Sequence, residues 1–320
     1  MRRTLLAALA VASLALALAA PATAKSEHRS DAAANARAAE HQRILDYWTQ
    51  ARRDNARPRD IVMPLGTKPR PAAKPGGGGG GTTSPSLNST GSAWTFGGPV
   101  AQTTGKVFFT LGGGNYVCSG SLVQGPTSTS PPLVSTAGHC THEGDGSGPA
   151  GYATNFAFYP GYAGTTSGLP KYTATSSNLF ATTNWQNNGA AHRAYPDDAA
   201  FARVTGPAPS TTPPRVTFSR TTSGQMFAFG YPAAQKYKGN KLIYCSGTVS
   251  LGYYDGDDTI SMPCGMTGGS SGGPWFANFS TTDKSGVQVS VNSYGYSGIS
   301  RMWGPVFDTA ESNAYSAASQ

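Results

Sequence analysis

Cys264-Gly265-Met266-Thr267-Gly268-Gly269-Ser270-Ser271-Gly272-Gly273-Pro274-Trp275 is the stretch on which the fold turns. Its glycines free the backbone to bend tightly. They let the amide N–H groups of Gly269 and Ser271 converge on one point, which is what an oxyanion hole requires. Losing one such donor costs ~3 kcal/mol of transition-state stabilisation. Ser270 and Ser271 are adjacent candidates for the nucleophile. The stretch also satisfies G-x-S-x-G, a pattern whose fold needs the chain order Ser, Asp, His. No histidine follows Ser271, so that architecture is excluded.

Two stretches further out supply partners. In Val134-Ser135-Thr136-Ala137-Gly138-His139-Cys140 an apolar run enters a small-residue turn that presents His139. A histidine held that rigidly suits a general base. Asp197-Asp198-Ala199-Ala200-Phe201-Ala202-Arg203-Val204 sets carboxylates just ahead of an apolar strand. Buried there, one of them could accept the imidazole N–H and hold its tautomer. The order Asp, His, Ser fails, because every aspartate before His139 lies in residues 31–60.

T-A-G-H-C, D-A-A-F and G-S-S-G-G-P together resemble the signature segments of the chymotrypsin-like serine peptidases, in that family's order. The nearest likeness is to the secreted bacterial branch that includes the glutamyl endopeptidases. It spans roughly residues 100 to 310. The resemblance implies an all-β double six-stranded barrel with its site in the cleft between the barrels. It implies His139 as general base, Asp198 as its orienting partner and Ser271 as nucleophile, and it maps the oxyanion hole to the amides of Gly269 and Ser271. It implies protein or peptide substrates and no cofactor. The position six residues before the nucleophile, an aspartate in trypsin-specific members, is Gly265. Glutamate-specific members carry a histidine on the pocket wall, here read as Asn292-Ser293-Tyr294-Gly295 without one. Gly265, Met266, Thr267, Ser293 and Tyr294 are therefore the expected lining of a neutral pocket. Ser270 stands where many members carry an aspartate that receives the new N-terminal amine. Activation by that switch is not expected, and a prosegment that aids folding or blocks the cleft is.

The remaining chain gives the organisation. Arg2 and Arg3, the apolar run 5–20 and Ala22-Thr23-Ala24 read as an export signal, residues 1–24. Residues 25–90 are the expected propeptide: a helix over 31–57 with Ile44, Tyr47 and Trp48 on one face, then a proline- and glycine-rich junction. Residues 91–320 form the expected peptidase domain. Within it, runs at 106–111, 116–123, 133–137, 156–159, 199–204, 225–231, 242–244 and 287–291 have strand length and turn-residue borders. A helical turn is expected near 309–318.

Cys118, Cys140, Cys245 and Cys264 in an exported chain read as two disulfides. Three pairings are possible, and Cys118–Cys140 with Cys245–Cys264 is favoured because each pair brackets a motif. The net charge of +8 is uneven: residues 82–320 carry eleven Lys/Arg against ten Asp/Glu. That gives no support for a nucleic-acid partner. No run after residue 24 is apolar enough to span a membrane, and a monomer is expected. Asp255-Gly256-Asp257-Asp258 reads as an acidic hairpin tip, with calcium binding the alternative. No zinc signature is present.

Overall fold

The structure is a computed structural model describing residues 22–64, 84–127, 130–189, 191–253 and 258–320, with side chains from residue 31. The expected export signal up to residue 21, the expected junction at 65–83 and residues 254–257 of the expected acidic tip lie outside the described residues. The chain divides into two compact units, residues 1–39 and residues 40–320.

Every expected strand forms. In chain order the strands are β1 (Arg57–Pro58), β2 (Ile61–Met63), β3 (Thr90–Ala93), β4 (Thr104–Leu111), β5 (Gly114–Val123), β6 (Leu133–Thr136), β7 (Thr154–Pro160), β8 (Tyr172–Ala174) and β9 (Leu179–Ala181). They continue with β10 (Ala200–Arg203), β11 (Gln225–Gly230), β12 (Ile243–Thr248), β13 (Ser250–Leu251), β14 (Thr259–Pro263), β15 (Pro274–Ser280), β16 (Ser285–Val291), β17 (Tyr294–Tyr296) and β18 (Arg301–Pro305). The helices are α1 (Ala22–Tyr47), α2 (Gln50–Asp54), α3 (Pro99–Thr103), α4 (Thr183–Asn188) and α5 (Thr309–Ala318).

The first half is one sheet in the order β8-β7-β4-β5-β6-β10-β9. Thr173 on β8 and Thr205 just after β10 exchange backbone hydrogen bonds of 2.9 and 2.8 Å. That exchange brings the two sides of the sheet together and rolls it into a barrel. Its interior is filled by Val107, Phe109, Leu122, Val134, Phe156, Phe158 and Phe201, all 2% exposed or less. The second half consists of two five-stranded sheets, β16-β15-β11-β12-β3 and β13-β14-β18-β17-β2. Met226, Cys245, Ile260, Met262 and Trp275 fill the space associated with them. The architecture is chymotrypsin-like and mostly β. The disulfides are Cys118–Cys140 and Cys245–Cys264. Loops of this size correspond to about 3 kcal/mol each in the chain-entropy account.

The N-terminal region differs from the expected single helix followed by loose chain. The helix breaks at Trp48, and Thr49 caps α2 by accepting from Arg52 N–H. The break follows from packing: Trp48 is 1% exposed, donates Nε1–H to the Asn155 carbonyl at 2.6 Å and lies 5.4 Å from the Phe108 ring. Ile44 is buried beside it, so the apolar face read from the sequence covers the first barrel. Residues 40–63 thus belong to the same unit as the strands, and residues 57–63 add two short strands to its sheets.

Candidate active site

Antiparallel pairing accounts for the meeting of His139 and Asp198. β6 pairs with β10, with Thr136 opposite Ala200. His139, three residues past β6, and Asp198, two residues before β10, therefore emerge at the same end of the sheet. Gly138–Cys140 forms a single 3-10 turn that Cys140 ties back to β5 through its disulfide. Asp198 follows the 3-10 turn His192–Asp197. Both side chains are buried, at 1% and 0% exposure.

Asp198 Oδ1 accepts the His139 backbone N–H at 2.8 Å, and Oδ2 faces His139 Nδ1 at 2.7 Å. Ser293 Oγ–H donates to the same Oδ2 at 2.5 Å. An ionised carboxylate only accepts, so this network puts the neutral imidazole's proton on Nδ1 and the lone pair on Nε2. Asp197 points elsewhere, accepting from Asn184 Nδ2 at 2.5 Å. Burial raises its pKa, the Asn184 hydrogen bond opposing.

The nucleophile stretch is held by hydrogen bonds from strands on both sides. Ser119 on β5 donates its N–H to the Ser271 carbonyl at 2.7 Å and its Oγ–H to the Gly269 carbonyl at 2.8 Å. Asn292 carries the other side: its carbonyl accepts Gly272 N–H, and its amide donates to the carbonyls of Phe229 and Ser270. The Gly269 and Ser271 carbonyls are thereby turned toward β5. Among the described residues their own N–H groups make no hydrogen bond, while those of Ser270, Gly272 and Gly273 each make one. Gly272 has φ +80°, and a Cβ there would sit 2.1 Å from Thr136 Oγ. No L side chain fits that close approach to β6.

Ser270 Oγ–H is committed to the Thr267 carbonyl at 2.8 Å, which leaves Ser271 as the unengaged hydroxyl of the pair. Among the described residues, His139 Nε2 has no hydrogen-bond partner and Ser271 Oγ makes no hydrogen bond. The hydroxyl-to-imidazole contact expected of a poised site is not made. Such contacts are often long until substrate binds. The cluster of Cys118, His139 and Cys140 atoms is no metal site, because both sulfurs are in the disulfide.

Gly265, Met266, Thr267, Ser293 and Tyr294 all line one cavity of about 410 Å³ with Ser271 at its side. Ser293 also serves Asp198, a role the sequence did not signal. Tyr294 contributes wall through β17; its ring, 1% exposed, stacks on Trp303. Two charged residues line the same cavity and depart from the neutral pocket expected. Arg301 lies over the Tyr253 ring at 3.9 Å, with Nε donating to Ser261 Oγ. Asp60 comes from the segment between β1 and β2, and a Cβ on Gly268 would fall 2.6 Å from its carboxyl. Loss of surrounding water raises the Asp60 carboxyl's pKa, and the nearby His139 opposes that. Ser119 and Arg301 escaped the sequence reading, and Asn292 was read only as pocket wall, because each acts through a contact made only after distant strands pair.

This geometry is that of a serine-type peptidase on a chymotrypsin-like fold. Residues 118–281 match the trypsin-like peptidase domain family, and the chain belongs to it. The protease Anisep from Arthrobacter nicotinovorans is 41% identical, over 72% of this chain and 99% of its own, with a TM-score of 0.60. A thermostable serine protease, AL20, from an extremophilic microorganism is 35% identical, over 68% of this chain and 97% of its own, with a TM-score of 0.58. A Glu endopeptidase, at 19% identity over 72% of this chain and 96% of its own, shares the fold with a TM-score of 0.51. No curated protein sequence matches.

Proposed function

We propose that the protein is an exported serine endopeptidase working through His139, Asp198 and Ser271, with residues 1–24 as its export signal and residues 25–90 as a removable prosegment. What carries this reading is the buried carboxylate that accepts both the backbone and the ring N–H of His139 beside a serine whose amide N–H makes no hydrogen bond. Two disulfides fit an oxidising compartment. Among the described residues no helix is long and apolar enough to cross a membrane.

The reaction is acyl transfer in two steps. Ser271 Oγ attacks the peptide carbonyl carbon while His139 Nε2 takes its proton, and the developing oxyanion meets the N–H groups of Gly269 and Ser271. His139 passes the proton to the amide nitrogen, the C–N bond breaks, and the amine leaves. Water, deprotonated by the same nitrogen, then attacks the ester; His139 returns the proton to Ser271 Oγ as the acid departs. Asp198 keeps the ring in the required tautomer and stabilises the transient imidazolium.

The test is labelling of the processed enzyme with a fluorophosphonate. One adduct on Ser271, absent from the Ser271→Ala variant, is the expected result. A fully folded, processed protein that takes up no label and cuts no peptide would defeat the reading.

A further inference from the structure

We infer that residues 57–63 are an autoinhibitory strand lying in the substrate cleft with its chain direction reversed, so that the unprocessed protein is held inactive by a segment it cannot cut. The inference rests on the peptidase reading of the site and adds how that site is kept shut.

The segment crosses the cleft from the first barrel to the second half. At its start, Arg57 and Pro58 pair in parallel with Tyr116 and Val117 of β5, beside the Cys118–Cys140 disulfide. Arg59 donates its backbone N–H to the Val117 carbonyl at 3.1 Å. Its guanidinium donates to the His139 carbonyl at 2.8 Å and to Glu143 at 3.1 Å. Asp60 and Ile61 then line the cavity that contains Ser271. At its end, Ile61, Val62 and Met63 pair in parallel with Tyr294, Gly295 and Tyr296 of β17. The Met63 carbonyl accepts Ser297 N–H at 3.0 Å, and its sulfur accepts the Tyr195 hydroxyl at 3.4 Å. The strand thus occupies the open edge of β17, the wall along which an extended peptide would otherwise add.

Its direction decides the outcome. The residue whose carbonyl Ser271 attacks must place its side chain in the adjoining cavity, which β17 walls. His139 must hand its proton to the leaving nitrogen, and it sits next to Cys140 of the disulfide, so the leaving half lies on the disulfide side and the chain preceding the attacked residue lies along β17. Residues 57–63 run the opposite way, from the disulfide side toward β17. They fill the cleft while presenting each peptide bond in the wrong sense for transfer. Trp48 and Ile44, buried against the first barrel, anchor the segment from upstream, so its hold on the cleft is intramolecular and needs little affinity of its own.

The experiment compares intact, mass-verified precursor lacking only the export signal with the processed enzyme. A second precursor carries Asp60→Gly, Ile61→Ser, Val62→Gly and Met63→Ser. Wild-type precursor is expected to react with fluorophosphonate at least ~100-fold more slowly than processed enzyme, and the substituted precursor within about tenfold of it. In trans, the peptide Arg-Pro-Arg-Asp-Ile-Val-Met-Pro is expected to inhibit processed enzyme competitively and stay uncut. The inference falls if the substituted precursor stays as slow as wild type beside an active processed enzyme, if wild-type precursor labels as fast as processed enzyme, or if the peptide is cut as a substrate. Failure of the processed enzyme to label at all is a different result, and overturns the peptidase reading itself.

Discussion

The two halves of the candidate site are held in contrasting ways. On the base side both oxygens of Asp198 are engaged, by His139 N–H, His139 Nδ1 and Ser293 Oγ, and nothing there is more than 2% exposed. On the nucleophile side the backbone is fixed by Ser119 and Asn292, yet the groups that would meet substrate make no hydrogen bonds: the Gly269 and Ser271 amides, the Ser271 hydroxyl and His139 Nε2. The difference is one of timing in the reaction. Groups that orient are satisfied at rest, and donors aimed where charge will develop are held ready but unused.

The sharpest way to break this contrast is to spoil orientation without moving an atom. Asp198→Asn keeps the shape but turns an amide N–H donor toward His139 Nδ1, which puts the ring proton on Nε2 and leaves no lone pair there to act as base. Processed enzyme is expected to lose ~10⁴-fold in kcat with KM nearly unchanged. A loss under tenfold would mean that Asp198 is not the orienting group.

Next in size is the anchor of the N-terminal segment. Trp48→Ala removes a side chain that fills space against Phe108, and about 3–5 kcal/mol of stability is expected to go with it. If residues 25–90 are removed as proposed, the loss belongs to the precursor alone. Denaturant midpoints of both forms, with and without the substitution, measure it. A precursor whose midpoint does not move would show that the N-terminal segment adds nothing to the fold.

A third carboxyl completes the comparison with Asp198. Glu311 on α5 is equally buried, but only Oε2 is used, accepting the Asp308 N–H at 2.9 Å, and Oε1 has no partner. Desolvation pushes its pKa up to about 8, with Asp197 and Asp308 adding to the shift. A raised carboxyl takes up a proton on folding, so its stabilising state is complete below the unfolded value and is lost as pH climbs through the folded one. Stability is expected to fall by on the order of 4 kcal/mol between about pH 4.5 and 8. Glu311→Gln keeps the cap and flattens that slope. A slope identical in the variant would assign the pH dependence elsewhere.

How far the sequence reached follows from what each feature depends on. The strand runs, the buried face of Trp48, the disulfides and the three motifs are local patterns, and the paired strands carried them together. Choosing Asp198 over Asp197, or Ser271 over Ser270, needs side-chain direction; only the resemblance made that choice in advance. Residues 57–63 could not be read as strands. They are short and rich in arginine and proline, and one of their partners, β17, lies some 230 residues away. Ser119 and Asn292 look like any hydroxyl or amide in a strand until β5, β15 and β16 converge on the glycine turn.

Arg301 was missed for the same reason, and it bears on the smallest effect expected. Its guanidinium is pinned over Tyr253 and to Ser261, and it has no carboxylate partner among the described residues. Burial lowers its pKa, which marks a charge short of solvent. A cation in the lining opposes a second cation on the entering side chain by roughly 1 kcal/mol at the separations and effective dielectric of such a cavity. Arg301→Met is therefore expected to raise kcat/KM about fivefold for peptides cut after Lys or Arg, and to leave those cut after neutral residues within about twofold. Equal changes for both peptide classes would show that Arg301 shapes the wall without reading charge, and would return the pocket to the neutral character first expected from Gly265.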